Sequence, residues 1–268
     1  MRSSSNPAFR NLPTGGGYGG YAGFGQPEQA GYQQAPPPLT SERPMTIDDV
    51  VTKTGVTLAV VAATAVVTYL MQAWFLLFPA AIIGLVLALV IMFKRMPSPP
   101  LVIAYAAVEG VFLGAFSGII GNMVDRMTGN PGQGVVMIGQ AIIGTLGVFF
   151  GMLVVYKTGA IRVTPKFTKW ITGALIGVGV LMLFNLIMSF FTTGGLGIRS
   201  GGTLAIIFSL VCIGLAAFSF LIDFDAADQA IRAGVPAKFA WQIAFGLTVT
   251  LVWLYTEILR LLSYFNSD

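Results

Sequence analysis

Seven apolar runs, each separated from the next by a short polar or Gly/Pro-rich stretch, fill the chain from residue 53 to residue 265. They cover 53–72, 74–94, 100–123, 134–156, 168–192, 203–228 and 240–265. About 20 apolar residues in a helix cross a hydrocarbon core of about 30 Å. Each run therefore predicts a transmembrane helix, and the fold class is all-α and polytopic. Gln72, Ala73 and Trp74 alone separate the first two runs, which predicts a tight hairpin. Pro97, Pro99 and Pro100 break the chain before the third. Gly194, Gly195, Gly197, Gly201 and Gly202 mark the loop before the sixth. Gly-rich stretches inside the runs ("GVFLGAFSG", "GTLGVFFG", "GALIGVGV") suit close helix–helix packing in lipid.

The head of the chain is different. Residues 1–45 are rich in Gly, Pro, Tyr, Gln and Ser, too poor in apolar surface to offset the entropy of ordering. They read as a disordered tail, with 46–268 as the transmembrane domain. No apolar run follows the early arginine, so no signal peptide is expected. At the junction Thr46 can cap a helix whose first turn carries Asp48 and Asp49.

Composition agrees: 55% of residues are hydrophobic and 10% charged, and mean hydropathy is +0.80. The net charge of +4 does not point to nucleic acid, because the basic residues lie between the runs. Of the 15 Lys and Arg, 12 fall on one side of a seven-span topology, and Arg126, Arg199 and Arg260 on the other. By the positive-inside rule this predicts a cytoplasmic N-terminus and an outside C-terminus. The single cysteine, Cys212, reads as a small buried hydrophobe. With no histidine, any response to pH falls to carboxylates.

Four acids interrupt the apolar runs: Glu109 in the third, Asp223 and Asp225 late in the sixth, Glu257 deep in the seventh. Charge at such depth costs several kcal/mol unless it faces the bundle interior with a partner or an ion. Asp223 and Asp225 point roughly 200° apart around a helix, so at most one can aim at a given neighbour. Asp228 is expected to be interfacial and solvated. Asn185 and Gln140 read as polar contacts between helices. Arg260, one turn past Glu257, could offset its charge, but is expected rather to reach for the outer interface.

If Asp225 and Glu257 met, they would compete for one proton. Protonated, they would latch two helices together. Ionised, and with Asp223 as an accessory ligand, they would offer hard oxygens suited to Ca²⁺. Equal depth requires a hairpin turn centred on residue 241, with Ala237–Gln242 as a loop and Trp241 at the interface. The visible turn signal, Gly234-Val-Pro236, is earlier, and would leave Glu257 about twelve residues, or about 18 Å, deeper than Asp225.

Four stretches carry a family resemblance over residues from about 50 to the end: "VEGVFLG" with Glu109, "LFNLI" with Asn185, "FSFLIDFD" with Asp225 and "WLYTEILRLL" with Glu257. In this order on seven spans they resemble the Bax inhibitor-1 (transmembrane BAX inhibitor motif, YccA-like) family, in its bacterial branch. The resemblance implies six helices around a central seventh. It also implies a di-aspartyl pH sensor gating a Ca²⁺ leak, with an arginine after span two beside it, which Arg95 or Lys94 would supply. Glu109 and Asn185 would lie along the ion path. The chain departs from that pattern in having Glu257 for the second aspartate and Asp223 as an extra acid. Its link between spans six and seven is longer by about eight residues, and the low-complexity head is additional.

The expected function is a pH-sensitive Ca²⁺ leak channel of the plasma membrane, with Asp225, Glu257, Asp223 and Arg95 as sensor and gate. Ca²⁺ is the permeating or bound ion, the bilayer is the surrounding partner, and no other cofactor is expected. The alternative is a regulator binding another membrane protein, such as a membrane protease, through the N-terminal segment. A secondary transporter ranks below both, since duplicated halves and paired broken helices are not seen. No phosphate loop, serine elbow or HExxH occurs in the sequence, so an enzyme is not expected.

Overall fold

A computed structural model describes residues 43–94, 98–192 and 194–266. Among these residues seven α-helices follow in order: α1 (Ile47–Leu70), α2 (Leu77–Phe93), α3 (Pro99–Thr128), α4 (Gln133–Thr158), α5 (Pro165–Ser189), α6 (Thr203–Arg232) and α7 (Ala240–Phe265). Short 3₁₀ turns at Trp74–Leu76 and Ala237–Phe239 lead into α2 and α7. All seven are long and apolar enough to cross a membrane. The ends lie where local chemistry puts them. Thr46 and Asp49 form a reciprocal capping box, Asp49 N–H donating to Thr46 Oγ1 at 3.3 Å and Thr46 N–H to Asp49 Oδ2 at 2.9 Å. Proline opens α3 and α5, where its missing N–H costs nothing.

The bundle is apolar outside. Phe78, Ile82, Leu85 and Phe93 on α2, and Trp170, Ile176, Val180 and Phe184 on α5, are all exposed. In lipid such faces need no cover, and tight contact inside comes from small side chains. α1 shows how polar residues serve there: its buried stripe is Val50, Thr54, Thr57, Val61 and Thr68. The Thr57 and Thr68 hydroxyls donate to carbonyls one turn back, those of Lys53 and Thr64, so they pack much as valines would. Against this stripe lies α3. A methyl on Gly110 would fall 1.8 Å from Thr64 Oγ1 and 2.3 Å from the Val61 carbonyl oxygen. Gly110→Ala is accordingly expected to cost about 1–3 kcal/mol through forced separation of the two helices. Gly173→Ala on α5, where nothing lies within 4 Å, serves as the reference, and reversible unfolding in mixed micelles measures both.

α7 packs against α1, α3, α4 and α6, and its apolar window is 56% buried, more than that of any other helix. The expectation of a central seventh helix holds. α5 is peripheral, with only 6% of its window buried, and rests on α6. The end of the bundle where α1 begins and α6 meets α7 is called the near end below, and the opposite one the far end.

At the near end the chain differs from the sequence expectation in two ways. The tail expected over 1–45 falls outside the described residues up to 42, but Arg43–Met45 are ordered. Met45 N–H donates to Val235 O at 2.8 Å, Ala237 N–H to Arg43 O at 2.9 Å, and the Met45 side chain is buried. Lys53 Nζ also donates to Ala237 O. This strap clamps the α6–α7 turn at Gly234-Val-Pro236. Residues Ala237–Gln242 are therefore not a loop. They form the 3₁₀ turn and the start of α7, with Trp241 half-buried under the Lys53 ammonium.

Candidate functional site

With that turn fixed, the register of the α6–α7 hairpin follows. Thr250 on α7 donates its hydroxyl to Asp223 Oδ2 on α6 at 2.7 Å, which sets those two residues at one depth. Asp225 is then level with residue 248, and Glu257 lies about nine residues, or about 13 Å, farther along. The structure does not bring Asp225 and Glu257 together. The expected shared-proton pair and the expected Ca²⁺ ligand set of Asp225, Glu257 and Asp223 are corrected accordingly. Among the described residues no group of three or more acids, cysteines or histidines could hold a metal ion.

Glu257 has other partners. The residue is 1% exposed, in the far half of α7. Arg199, from the loop between α5 and α6, grips it with two donors: Nη2 to Oε1 at 2.8 Å and Nη1 to Oε2 at 3.2 Å. Arg260 adds a contact to Oε1 at 3.3 Å, and lies over the Phe116 ring rather than reaching away from the bundle. Two guanidiniums on one carboxylate repay part of the cost of burying it. The Arg199 guanidinium also rests over Phe208, 5.3 Å from its centroid, and donates to Met182 Sδ on α5.

Thr250 and Glu257 are seven residues apart, so they share a face of α7 two turns apart. Asp223 and Glu257 therefore occupy one seam between α6 and α7, about 10 Å apart in depth. Asp225 turns away from it, toward the near end, accepting from Gln229 Nε2 at 2.6 Å and from the Tyr156 hydroxyl on α4. Asp228 pairs with the exposed Arg232, as an interfacial acid should.

A family model described as Bax inhibitor 1 like matches residues 6–267. The chain belongs to the Bax inhibitor-1 family. Comparison with curated proteins gives no match. The family match takes in the low-complexity head as well, which corrects the expectation that this segment lies outside the family pattern.

Of the remaining residues singled out for the Bax inhibitor-1 resemblance, Glu109 is half-buried at the contact of α3 with α2. Its Oε1 would be 2.9 Å from a Cβ on Gly84, and Tyr105 stands one helical turn before it on α3. The Tyr105–Phe245 ring contact sets α3 against α7 so that Glu109 lies near Asp223 in depth, but on the α2 side and not on the α6–α7 seam. Among the described residues Asn185 makes no helix-to-helix bond; its Oδ1 accepts Leu196 N–H at 2.9 Å and so ties down the loop. Gln140 is exposed on α4, which corrects its reading as a contact between helices. Arg95 lies outside the described residues, and Lys94 is exposed at the end of α2. The residue that sequence reasoning missed is Arg199. In the sequence it counts only as a topology charge, although it stands alone among glycines in "GGLGIRSGG".

Proposed function

We propose that this Bax inhibitor-1 family membrane protein is a pH-sensitive Ca²⁺ leak channel of the plasma membrane whose path follows the α6–α7 seam. The observation that carries the reading is the placing of two carboxylates, Asp223 and Glu257, at two depths along one face of the central helix. Acids within membrane-spanning helices mark ion paths, proton relays or similar functional sites by default. Successive oxygen sites, each able to release its ion, suit conduction. The gate differs from the one expected from sequence. In place of two acids sharing a proton, Asp223 is a chargeable group held by a hydroxyl, and Glu257 is a site held by arginine. The bias of Lys and Arg toward the near end supports a cytoplasmic N-terminus. The protein acts by passing ions rather than by catalysis.

Reconstituted into liposomes carrying a Ca²⁺ indicator, the full chain is expected to admit Ca²⁺ faster than empty vesicles do, across a pH series spanning neutrality. Flux equal to that of empty vesicles at every pH would overturn the reading.

A second reading, regulation of another membrane protein, is favoured by the strap of Arg43–Met45 on the α6–α7 turn. Through it, a partner bound to the preceding residues would bear on that hairpin. Deleting residues 1–42 separates the two: a regulator loses its partner, whereas a channel keeps its flux.

A further inference from the structure

We propose that the segment Gly194–Gly202 is a tethered plug, whose Arg199 guanidinium holds the place that a cation arriving at Glu257 from the far end would take. The inference rests on the leak reading for its effect on flux, though not for the geometry. Arg199 is on none of the helices its guanidinium touches, α5, α6 and α7. It belongs to a link that doubles back into the bundle, where its side chain is 20% exposed. The doubling back needs backbone that only glycine adopts readily. Gly194, Gly195, Gly197 and Gly201 all have positive φ, and Gly195 stands so close to Asn185 that an added Cβ would be 2.7 Å from Oδ1.

Besides the pair with Glu257, anchors among the described residues seat the segment: Asn185 accepts from Leu196, the Thr192 hydroxyl donates to Gly195 O at 3.0 Å, Ile198 is 7% exposed, and the Tyr264 hydroxyl donates to Arg199 O at 3.4 Å. Lifting the segment breaks these and the Arg199–Glu257 contacts but parts no pair of helices, so it costs less than separating α6 from α7. Arg260 makes the lifted state accessible: it sits on α7 itself and stays with Glu257 when Arg199 leaves. The carboxylate is then not stranded, and one of its oxygens, Oε2, is released by Arg199. A divalent cation and the Arg199 guanidinium compete for this acid, so raising the cation concentration favours the lifted segment by mass action.

Cys212 provides the test. It is the chain's one cysteine, fully buried on α6 and within electrostatic reach of both Glu257 and Arg199. In the full chain in detergent micelles, a water-soluble cationic methanethiosulfonate should label it slowly. Arg199→Gln is expected to speed labelling by about tenfold, Arg199→Lys much less, because the ammonium keeps one contact to the acid. In the wild-type protein millimolar Ca²⁺ should speed labelling as well. Labelling unchanged by both Ca²⁺ and Arg199→Gln overturns the plug. The Ca²⁺ arm needs no substitution, so a poorly folded variant does not decide the result. If labelling responds while liposomes show no Ca²⁺ flux, the plug stands and the leak reading falls.

Discussion

Glu257→Gln is expected to lower stability by about 3–5 kcal/mol, the cost of removing one member of a buried ion pair. The substitution keeps the side chain's size but leaves two guanidiniums, Arg199 and Arg260, facing a neutral amide in the far half of the bundle. Arg199→Gln should cost less, since Glu257 keeps Arg260 as a partner. The double variant should be more stable than the sum of the two losses predicts, with a coupling of about 0.5–3 kcal/mol. Reversible unfolding in mixed micelles measures all four corners of this cycle. Losses that add to within about 0.5 kcal/mol would mean that Arg199 and Glu257 do not hold each other.

Such an effect could not have been read from the sequence, and the reason is physical. The helices themselves were legible, because crossing a hydrocarbon core demands about 20 apolar residues and little else in the chain meets that demand. Thr46, Pro99 and Gly202 each lie at the helix start that the local pattern suggests. Facing was not legible. A helix in lipid is apolar all round, so no stripe declares which side meets a neighbour. The buried residues of α6, from Ala205 through Ser209, Cys212 and Ala216 to Phe220, differ little in character from its exposed Leu204, Ile207 and Val211.

Hairpin register depends on such facing. Local chemistry at Gly234-Val-Pro236 indicated the observed turn, while the motif positions of Asp225 and Glu257 argued for a later one. The strap of Arg43–Met45, almost two hundred residues away in sequence, decides for the earlier turn. Arg199 was hidden for a related reason. Its worth depends on a loop folding back on itself, which lies in the φ angles of four glycines and not in the spacing of charges. Asn185 likewise showed its polarity in the sequence but not its partner, because that partner is a backbone amide eleven residues later.

The second large effect concerns pH. Asp223 accepts one hydrogen bond from the Thr250 hydroxyl, a group that can also accept one. Asp223 can thus gain a proton and remain bonded to Thr250, so its two forms differ by one negative charge on the seam with little change in shape. A cation is drawn to the ionised form, so Ca²⁺ flux should rise as pH rises through the titration of this acid and fall on acidification. Asp223→Asn holds the seam in its neutral form. Its flux is expected to match the wild-type flux at low pH and to stay there across the series. Thr250→Val removes the hydroxyl but not the acid, and should move the midpoint of the profile while preserving its sign. Asp225→Asn, acting on a side chain bonded to Gln229 and Tyr156 and turned away from the seam, should leave the profile where it was. Ca²⁺ uptake by liposomes, buffered identically on both faces to exclude a proton gradient, compares the four proteins. A wild-type profile in Asp223→Asn, or its loss in Asp225→Asn alone, would move the sensor off the α6–α7 seam and toward α4.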